Sequence, residues 1–261
     1  MVMDVLSPEL VTDGLETRFI GQRVLYFPSR SSTMVAARQE ARQMAAEGTV
    51  VITGEQTAGK GRVKRVWLSP RGSIALSVVL YPDVSQLPYL IMIASVAAAR
   101  SIEMVTGLET QLKWPNDVLV NGRKVCGILI ENELKGSRVA WAVIGIGINV
   151  NIRMEDFPEV AAMATSLYDE LGKELPRVEI IRHLLVEMEK LYLSLGKREL
   201  IYQEWRDRLV TLGQKLRVAS GETVLEGVAE DVARDGSLLL KHRDGHLRRI
   251  VAGDVTLRNA G

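Results

Sequence analysis

Apolar positions along the chain change period several times. Arg23-Val24-Leu25-Tyr26-Phe27, Thr49 to Glu55, and Ser73-Ile74-Ala75-Leu76-Ser77-Val78-Val79-Leu80 read as strands. Ser7-Pro8-Glu9 predicts a short helix, with serine at the cap and proline at the first position. Ser31-Ser32-Thr33 caps a second helix that runs to about Gly48 and carries Ala36, Ala37, Met44 and Ala45. Leu87 to Thr106 is rich in Ala, Ile and Met and longer than a strand, so it predicts a buried helix. No apolar run is expected to span a membrane.

A hairpin follows. Asp117-Val118-Leu119-Val120 and Arg123 to Glu131 flank Asn121-Gly122, the dipeptide that most strongly favours a two-residue hairpin turn. Arg138 to Val150 reads as a further strand paired with it. Helices are expected near 159–172 and 177–209. After Gly213 short strands at 215–218, 222–232, 237–241 and 247–251 are punctuated by Ser220-Gly221, Asp235-Gly236 and Asp244-Gly245. They predict a small β-barrel domain, and a division into residues 1–212 and 213–261. There is no internal repeat and no low-complexity segment.

Composition narrows the class. The 261 residues are 47% hydrophobic and 25% charged, with net charge +1, as in an ordinary globular protein. That balance argues against a general nucleic-acid binder. One cysteine, Cys126, excludes an internal disulfide and points to a reducing compartment, the cytoplasm. Three scattered histidines and one cysteine give no zinc-type ligand cluster. The first residues lack the basic start and apolar core of a signal peptide.

Against this neutral background, Gly54 to Arg71 concentrates charge. It holds Lys60, Arg62, Lys64, Arg65 and Arg71, and no acid occurs between Glu55 and Asp83. An isolated basic loop is usually a solvated turn. This one lies between two core strands, which give it a rigid frame to act on a ligand. Its glycines let backbone N–H groups approach an anion, so a polyphosphate or an adenylate suits it. Gly54 to Lys60 has P-loop spacing, but Gly61 stands where a metal-binding Ser or Thr belongs, and Pro70 and Gly72 forbid the following helix. Gly145-Ile146-Gly147 begins like a dinucleotide fingerprint whose last glycine is missing. Ser31 or Ser32 can cap the helix, Asp117 and Asn149 can be turn and strand-end residues, and Trp67 and Trp114 are by default core aromatics. Cys126 reads as a buried hydrophobe, and His183, His242 and His246 show no partner pattern.

Taken together, four blocks resemble the biotin protein ligases. Gly59 to Trp67 is similar to that family's G-R-G-R-x-G-R-x-W adenylate loop, and Lys113-Trp114-Pro115-Asn116-Asp117 matches its K-W-P-N-D signature. Lys124 to Glu131 resembles K-x-x-G-I-L-x-E, and Val143 to Asn151 resembles its G-x-G-I-N strand. Lys60 stands for the usual Arg, Lys64 for a Gly, and Met34 for the Asn of a Ser-Thr-Asn helix start. Only about 20 residues precede the matching region, too few for a helix-turn-helix module, so the expectation is a monofunctional ligase with no DNA partner.

The resemblance implies an α+β fold: a mixed, largely antiparallel sheet with helices packed on one side, as in class II synthetases, plus a C-terminal SH3-like barrel. It implies ATP and Mg²⁺ as cofactors, biotin as substrate, a biotin carboxyl carrier domain as acceptor, and a homodimer away from membranes. Lys124 and Arg62 become the catalytic residues. Ser32, Thr33, Gln56, Lys60, Gly61, Arg62, Lys124 and Gly127 become biotin contacts. Arg62, Arg65, Trp67, Lys113, Asn116, Asp117, Lys124 and Asn149 become nucleotide contacts, with Asp117 and Asn149 also on the metal. A lipoate ligase shares the chemistry, and a non-catalytic biotin-sensing regulator is the alternative of another class.

Overall fold

The structure is a computed structural model, and it describes residues 5–62, 65–220, 223–251 and 254–257. The chain runs through α1 (Pro8–Thr12), β1 (Val24–Phe27), α2 (Thr33–Arg42), β2 (Val50–Thr53) and β3 (Ile74–Leu80). α3 (Leu87–Thr106) leads into β4 (Gln111–Lys113), β5 (Asp117–Val120), β6 (Arg123–Lys135) and β7 (Arg138–Ile148). α4 (Leu167–Leu171), α5 (Arg177–Leu193) and α6 (Arg198–Asp207) follow. β8 (Lys215–Ser220), β9 (Thr223–Val232), β10 (Leu238–Lys241), β11 (Leu247–Ile250) and β12 (Asp254–Leu257) complete the order.

The first seven strands form one sheet in the order β1-β2-β3-β7-β6-β5-β4. β1 and β2 pair in parallel; the other pairings among the described residues are antiparallel. The fold is therefore the expected mixed, largely antiparallel sheet. Side chains alternate between its faces. Val50, Ile52, Leu76, Val78, Ile144 and Ile146 share a large core with α3, α5 and α6. Val51, Val79 and Val143 face the other way, against Met34, Ala37 and Ala41 of α2. The helices are thus not all on one side. α2 covers part of the opposite face because its own apolar stripe is small and needs only a narrow patch.

Three helix boundaries depart from the sequence pattern. α2 stops at Arg42 rather than near Gly48, because Met44 adopts φ of 59°, which a right-handed helix excludes. The stretch expected to be helical over 159–172 yields only α4. Its residues 163–165 are drawn alongside β6, where the Lys124 N–H donates to the Met163 carbonyl (2.9 Å) and the Thr165 N–H to the Lys124 carbonyl (2.8 Å). The expected 177–209 helix breaks at a 3-10 turn over Leu195–Lys197. Unbroken, it would be about 50 Å long against roughly 30 Å for α3. The break lets both α5 and α6 pack on α3.

α3 corrects the reading that no run could span a membrane. Val84–Thr106 passes by length and composition, with mean hydropathy 1.4, yet 61% of that window is buried inside the protein. Val96, Ala97, Ala98 and Ala99 are fully buried. The helix is apolar because the sheet and two helices surround it.

The last five strands form an antiparallel sheet in the order β11-β10-β9-β8-β12, the SH3-like unit. β12, which the pattern did not reveal as a strand, pairs with β8. Leu216, Val218, Ala229, Val232, Leu238 and Leu240 of this unit join the same continuous core as α3 and the large sheet.

Glu170 pins the Asn121-Gly122 hairpin to the segment beside Lys124. It accepts from Asn121 Nδ2 (2.6 Å), Arg123 Nη2 (2.8 Å) and Thr165 Oγ1 (2.5 Å). Burial raises its pKa, but the bonds from Thr165 and Asn121 and the Arg123 charge outweigh that and hold the carboxyl below its ordinary value. A depressed carboxyl contributes stability above the unfolded-state pKa and loses it as pH falls through the folded one. Glu170→Gln should therefore lower the urea midpoint at pH 7, and the gap from wild type should shrink as pH falls below about 4. A gap that is constant with pH would contradict the pairing.

Candidate active site

The pattern of side chains on the α2 face creates a hollow. One cross-strand row runs Lys113, Asp117, Gly127, Gly147, Ala75. The next runs Leu129, Gly145, Ser77. Partners in a row share a face, so the middle of this surface carries almost no side chain. α2 covers the bulky end of the face, and the described residues of 54–62 and 65–67 arch over the bare end. Between them lies a cavity of about 150 Å³.

The arch is a hairpin. Among its described residues, the Trp67 N–H donates to the Gly59 carbonyl (3.0 Å) and the Gly61 N–H to the Arg65 carbonyl (2.8 Å). It lays the Trp67 indole on the glycine floor. A Cβ on Gly147 would stand 2.3 Å from Trp67 Nε1, and one on Gly127 2.9 Å from its ring. The volume falls below the roughly 300–1,000 Å³ of small-molecule pockets because Trp67 fills part of it. Its buried Nε1 has no hydrogen-bond partner.

A β-bulge sets Lys124. In β5–β6, Val118 pairs with Cys126 but Leu119 pairs with Lys124, leaving Val125 as the extra residue. Val125 and Cys126 both enter the core behind the sheet, which turns Lys124 onto the same face as Gly127. Its ammonium lies 2.6 Å from Asp117 Oδ1 and 5.1 Å from the centre of the Trp67 ring. Burial pushes the Cys126 thiol well above its ordinary pKa, so it is no nucleophile.

At the other end, a hydrogen-bond relay holds polar groups at the start of α2. Ser77 Oγ donates to Thr33 Oγ1 (2.8 Å). Thr33 donates from both N (2.8 Å) and Oγ1 (3.2 Å) to Gln56 Oε1. Gln56 thereby takes the capping role, and the Ser32 hydroxyl, at the N-cap position, makes no cap bond. It is buried without a partner and lines the cavity. An unsatisfied buried hydroxyl beside a cavity is a ready-made ligand contact.

The structure brings Ser32, Thr33, Gln56, Lys60, Gly61, Arg62, Arg65, Trp67, Lys113, Asn116, Asp117, Lys124 and Gly127 around this one cavity. Lys64 lies outside the described residues. Asn116 is braced, its Nδ2 donating to the Ile128 carbonyl (2.7 Å). Asp117 is the sole carboxylate among the described lining residues, against cations at 60, 62, 65, 113 and 124. Asn149 is the exception. Its side chain donates to the Thr165 carbonyl (3.0 Å), it is buried, and it does not line the cavity. The expected metal pair of Asp117 and Asn149 is therefore not assembled, and Asp117 is already paired with Lys124. Among the described residues no group of three His, Cys, Asp or Glu side chains converges. The sequence reading missed Ser77, Gly145 and Gly147 as site-formers. Their signal was the run of small residues at alternate positions in two otherwise bulky strands.

The model of the Biotin/lipoate A/B protein ligase family matches residues 26–149, and that of the Biotin protein ligase C terminal domain matches 211–258. The chain is 37% identical over 258 residues to the bifunctional ligase/repressor BirA of Bacillus subtilis (strain 168), covering 97% of this chain and 79% of that protein. It is 36% identical over 220 residues to the biotin–[acetyl-CoA-carboxylase] ligase of Mycobacterium tuberculosis, covering 80% of this chain and 79% of that one. The biotin protein ligase of Aquifex aeolicus, solved with biotin and ATP, superposes with a TM-score of 0.77 at 27% identity, over 92% of this chain and 100% of that one. The chain belongs to the biotin protein ligase family.

The glycine floor is directly testable. Gly147→Ala places a methyl where Trp67 and any ligand must lie, at a backbone position that tolerates alanine. The thermal transition should move little while adenylate formation falls on the order of tenfold or more. Unchanged turnover would show that the floor is not part of the site.

Proposed function

We propose that this protein activates biotin with ATP and transfers it to a lysine of the biotin carboxyl carrier domain of a biotin-dependent carboxylase. The observation that carries the reading is the placement of Lys124 by a bulge onto the same bare face as the Ser32–Thr33–Gln56 cluster. Biotin has a polar ureido head and a carboxylate tail, and this cavity offers the unpartnered Ser32 hydroxyl beside the held Thr33 and Gln56 at one end and a cation at the other. Ser32, Thr33 and Gln56 take the ureido ring. The tail points to Lys124, beside Lys60, Gly61, Arg62 and Gly127. Lys113, Asn116, Asp117, Arg65 and Trp67 form the nucleotide side.

In this arrangement a biotin carboxylate oxygen attacks the α-phosphorus of ATP, and pyrophosphate leaves. Biotinoyl-5′-AMP, a mixed anhydride, remains under the hairpin, which keeps water away. The neutral amine of the carrier lysine then attacks the acyl carbon, AMP departs with the bonding electrons, and the new amide nitrogen gives up its proton to solvent. Both steps place negative charge on phosphate oxygens. Lys124 and Arg62 are set to stabilise it, and Asp117 keeps the Lys124 ammonium in place. Mg²⁺, if bound with ATP, would find Asp117 as the one lining carboxylate among the described residues and would supply positive charge to the phosphates. Residues 1–212 carry this chemistry and 213–261 form the C-terminal unit; the setting we assign is a cytoplasmic homodimer, by family likeness. Lipoate has no ureido group to meet the orphan Ser32 hydroxyl, and a site built around buried polar groups discriminates against a ligand that leaves them unpaired.

Incubating the protein with biotin, ATP and a carrier domain should give the mass increment of one biotin on the carrier, and lipoate should give none. Labelling with lipoate but not biotin would overturn the reading. Lys124→Ala should lose about 10²–10³ in the rate of biotinoyl-AMP formation with its thermal transition kept, as for removal of one electrostatic stabiliser. Near-normal adenylate synthesis would remove Lys124 from the mechanism.

A further inference from the structure

We propose that Trp114 is a positioning residue through which the C-terminal sheet sets the ATP side of the pocket. The proposal rests on reading Lys113 and Asn116–Asp117 as the nucleotide wall. Trp114 stands between them in sequence and lines the cavity with them, yet its indole N–H is turned away to another partner. Its Nε1–H donates to the Gly236 carbonyl (2.8 Å), in the turn between β9 and β10, and its backbone N–H donates to Thr211 Oγ1 (2.8 Å). The side chain is 1% exposed. An aromatic ring inside a ligand-lining segment is thus bonded, from behind, to the other sheet.

The turn that offers the carbonyl is itself built to hold its shape. Asp235 Oδ1 accepts from Ser237 N (3.2 Å) and Ser237 Oγ (2.6 Å). Arg249 on β11 donates from Nη2 to Asp235 and from Nε to Ser237 Oγ (2.7 Å). The Ala233 N–H closes the turn onto the Ser237 carbonyl (2.8 Å). Gly236 packs beside Met92 of α3, whose side chain is fully buried. The carbonyl is therefore held by a rigid corner, and Trp114 hangs from it.

On the pocket side the segment is held to β6 by two bonds. The Ile128 N–H donates to the Asn116 carbonyl (3.1 Å) and Asn116 Nδ2 donates to the Ile128 carbonyl (2.7 Å). Asp117, next in line, holds Lys124. A loosened Trp114 would let Lys113, Asn116 and Asp117 drift, while the Ser32–Thr33–Gln56 cluster, on α2 and the hairpin arm, would keep its place. The brace predicts a loss confined to ATP.

The test compares wild type with Trp114→Phe, which keeps an aromatic ring but drops the N–H, and Asp235→Ala, which loosens the turn without touching the pocket. Pyrophosphate release is followed against ATP at saturating biotin. Both variants should raise the ATP KM roughly three- to tenfold, the worth of one hydrogen bond, with the calorimetric Kd for biotin alone within about twofold. The double variant should be no worse than the worse single, because both cut one path. An unchanged ATP KM in either variant, a biotin Kd that weakens as much as the ATP KM, or a multiplicative double variant would each overturn the proposal. Asp235→Ala carries the test if Trp114→Phe shows no folding transition. A wild-type protein that makes no adenylate contradicts the activity instead. Calorimetry with ATP on the three proteins then decides the brace, and equal affinities overturn it.

Discussion

The site depends on one steric constraint: with Trp67 seated on the sheet, no side chain can stand at positions 127 and 147. These two glycines are directly paired across β6 and β7, and a Cβ at either would run into the Trp67 ring. With Ala75 and Ser77 beside them, they open a bare patch on a sheet face that is otherwise carpeted by Val51, Val79 and Val143. α2 seals the carpeted part and the basic hairpin roofs the bare part. The cavity is the gap that this division of one surface leaves.

Charge is distributed by the same geometry. Cations from the hairpin, from the end of β4 and from β6 converge on a space that holds a single lining carboxylate among the described residues. In a protein of net charge +1, that local excess is a preorganised positive field. Asp117 keeps it from being a loose one, since its contact with Lys124 fixes the ammonium on the pocket face. The apolar core behind the sheet, dominated by α3, gives the strands a rigid back against which a few tenths of an ångström matter.

Much of this was legible in the sequence because the residue types carry their chemistry with them. An acid-free basic loop between strands, an Asn-Gly hairpin and the Lys113–Asp117 run need no tertiary information to stand out. What failed to show was which way side chains point. Simple alternation puts Lys124 on the face opposite Gly127, and only the bulge at Val125 reverses that. Alternation likewise puts Asn149 on the face of Gly147. β7 ends at Ile148, however; the Asn149 N–H goes to the Val125 carbonyl and its side chain turns to Thr165. The second covered face, the break after α5 and the strand β12 escaped for the same reason. Each is decided by what packs nearby, not by local preference.

The central claim is that one ligand spans the bare face from the Ser32–Thr33–Gln56 cluster to Lys124. The measurement that meets it most directly is a crystal structure with a non-hydrolysable biotinoyl-5′-AMP analogue. The account predicts the ureido ring within hydrogen-bond distance of the Ser32 hydroxyl, the phosphate analogue within hydrogen-bond distance of Lys124 Nζ, and Trp67 displaced from the glycine floor onto the ligand. An analogue bound elsewhere, with Trp67 still seated on Gly127 and Gly147, would contradict it.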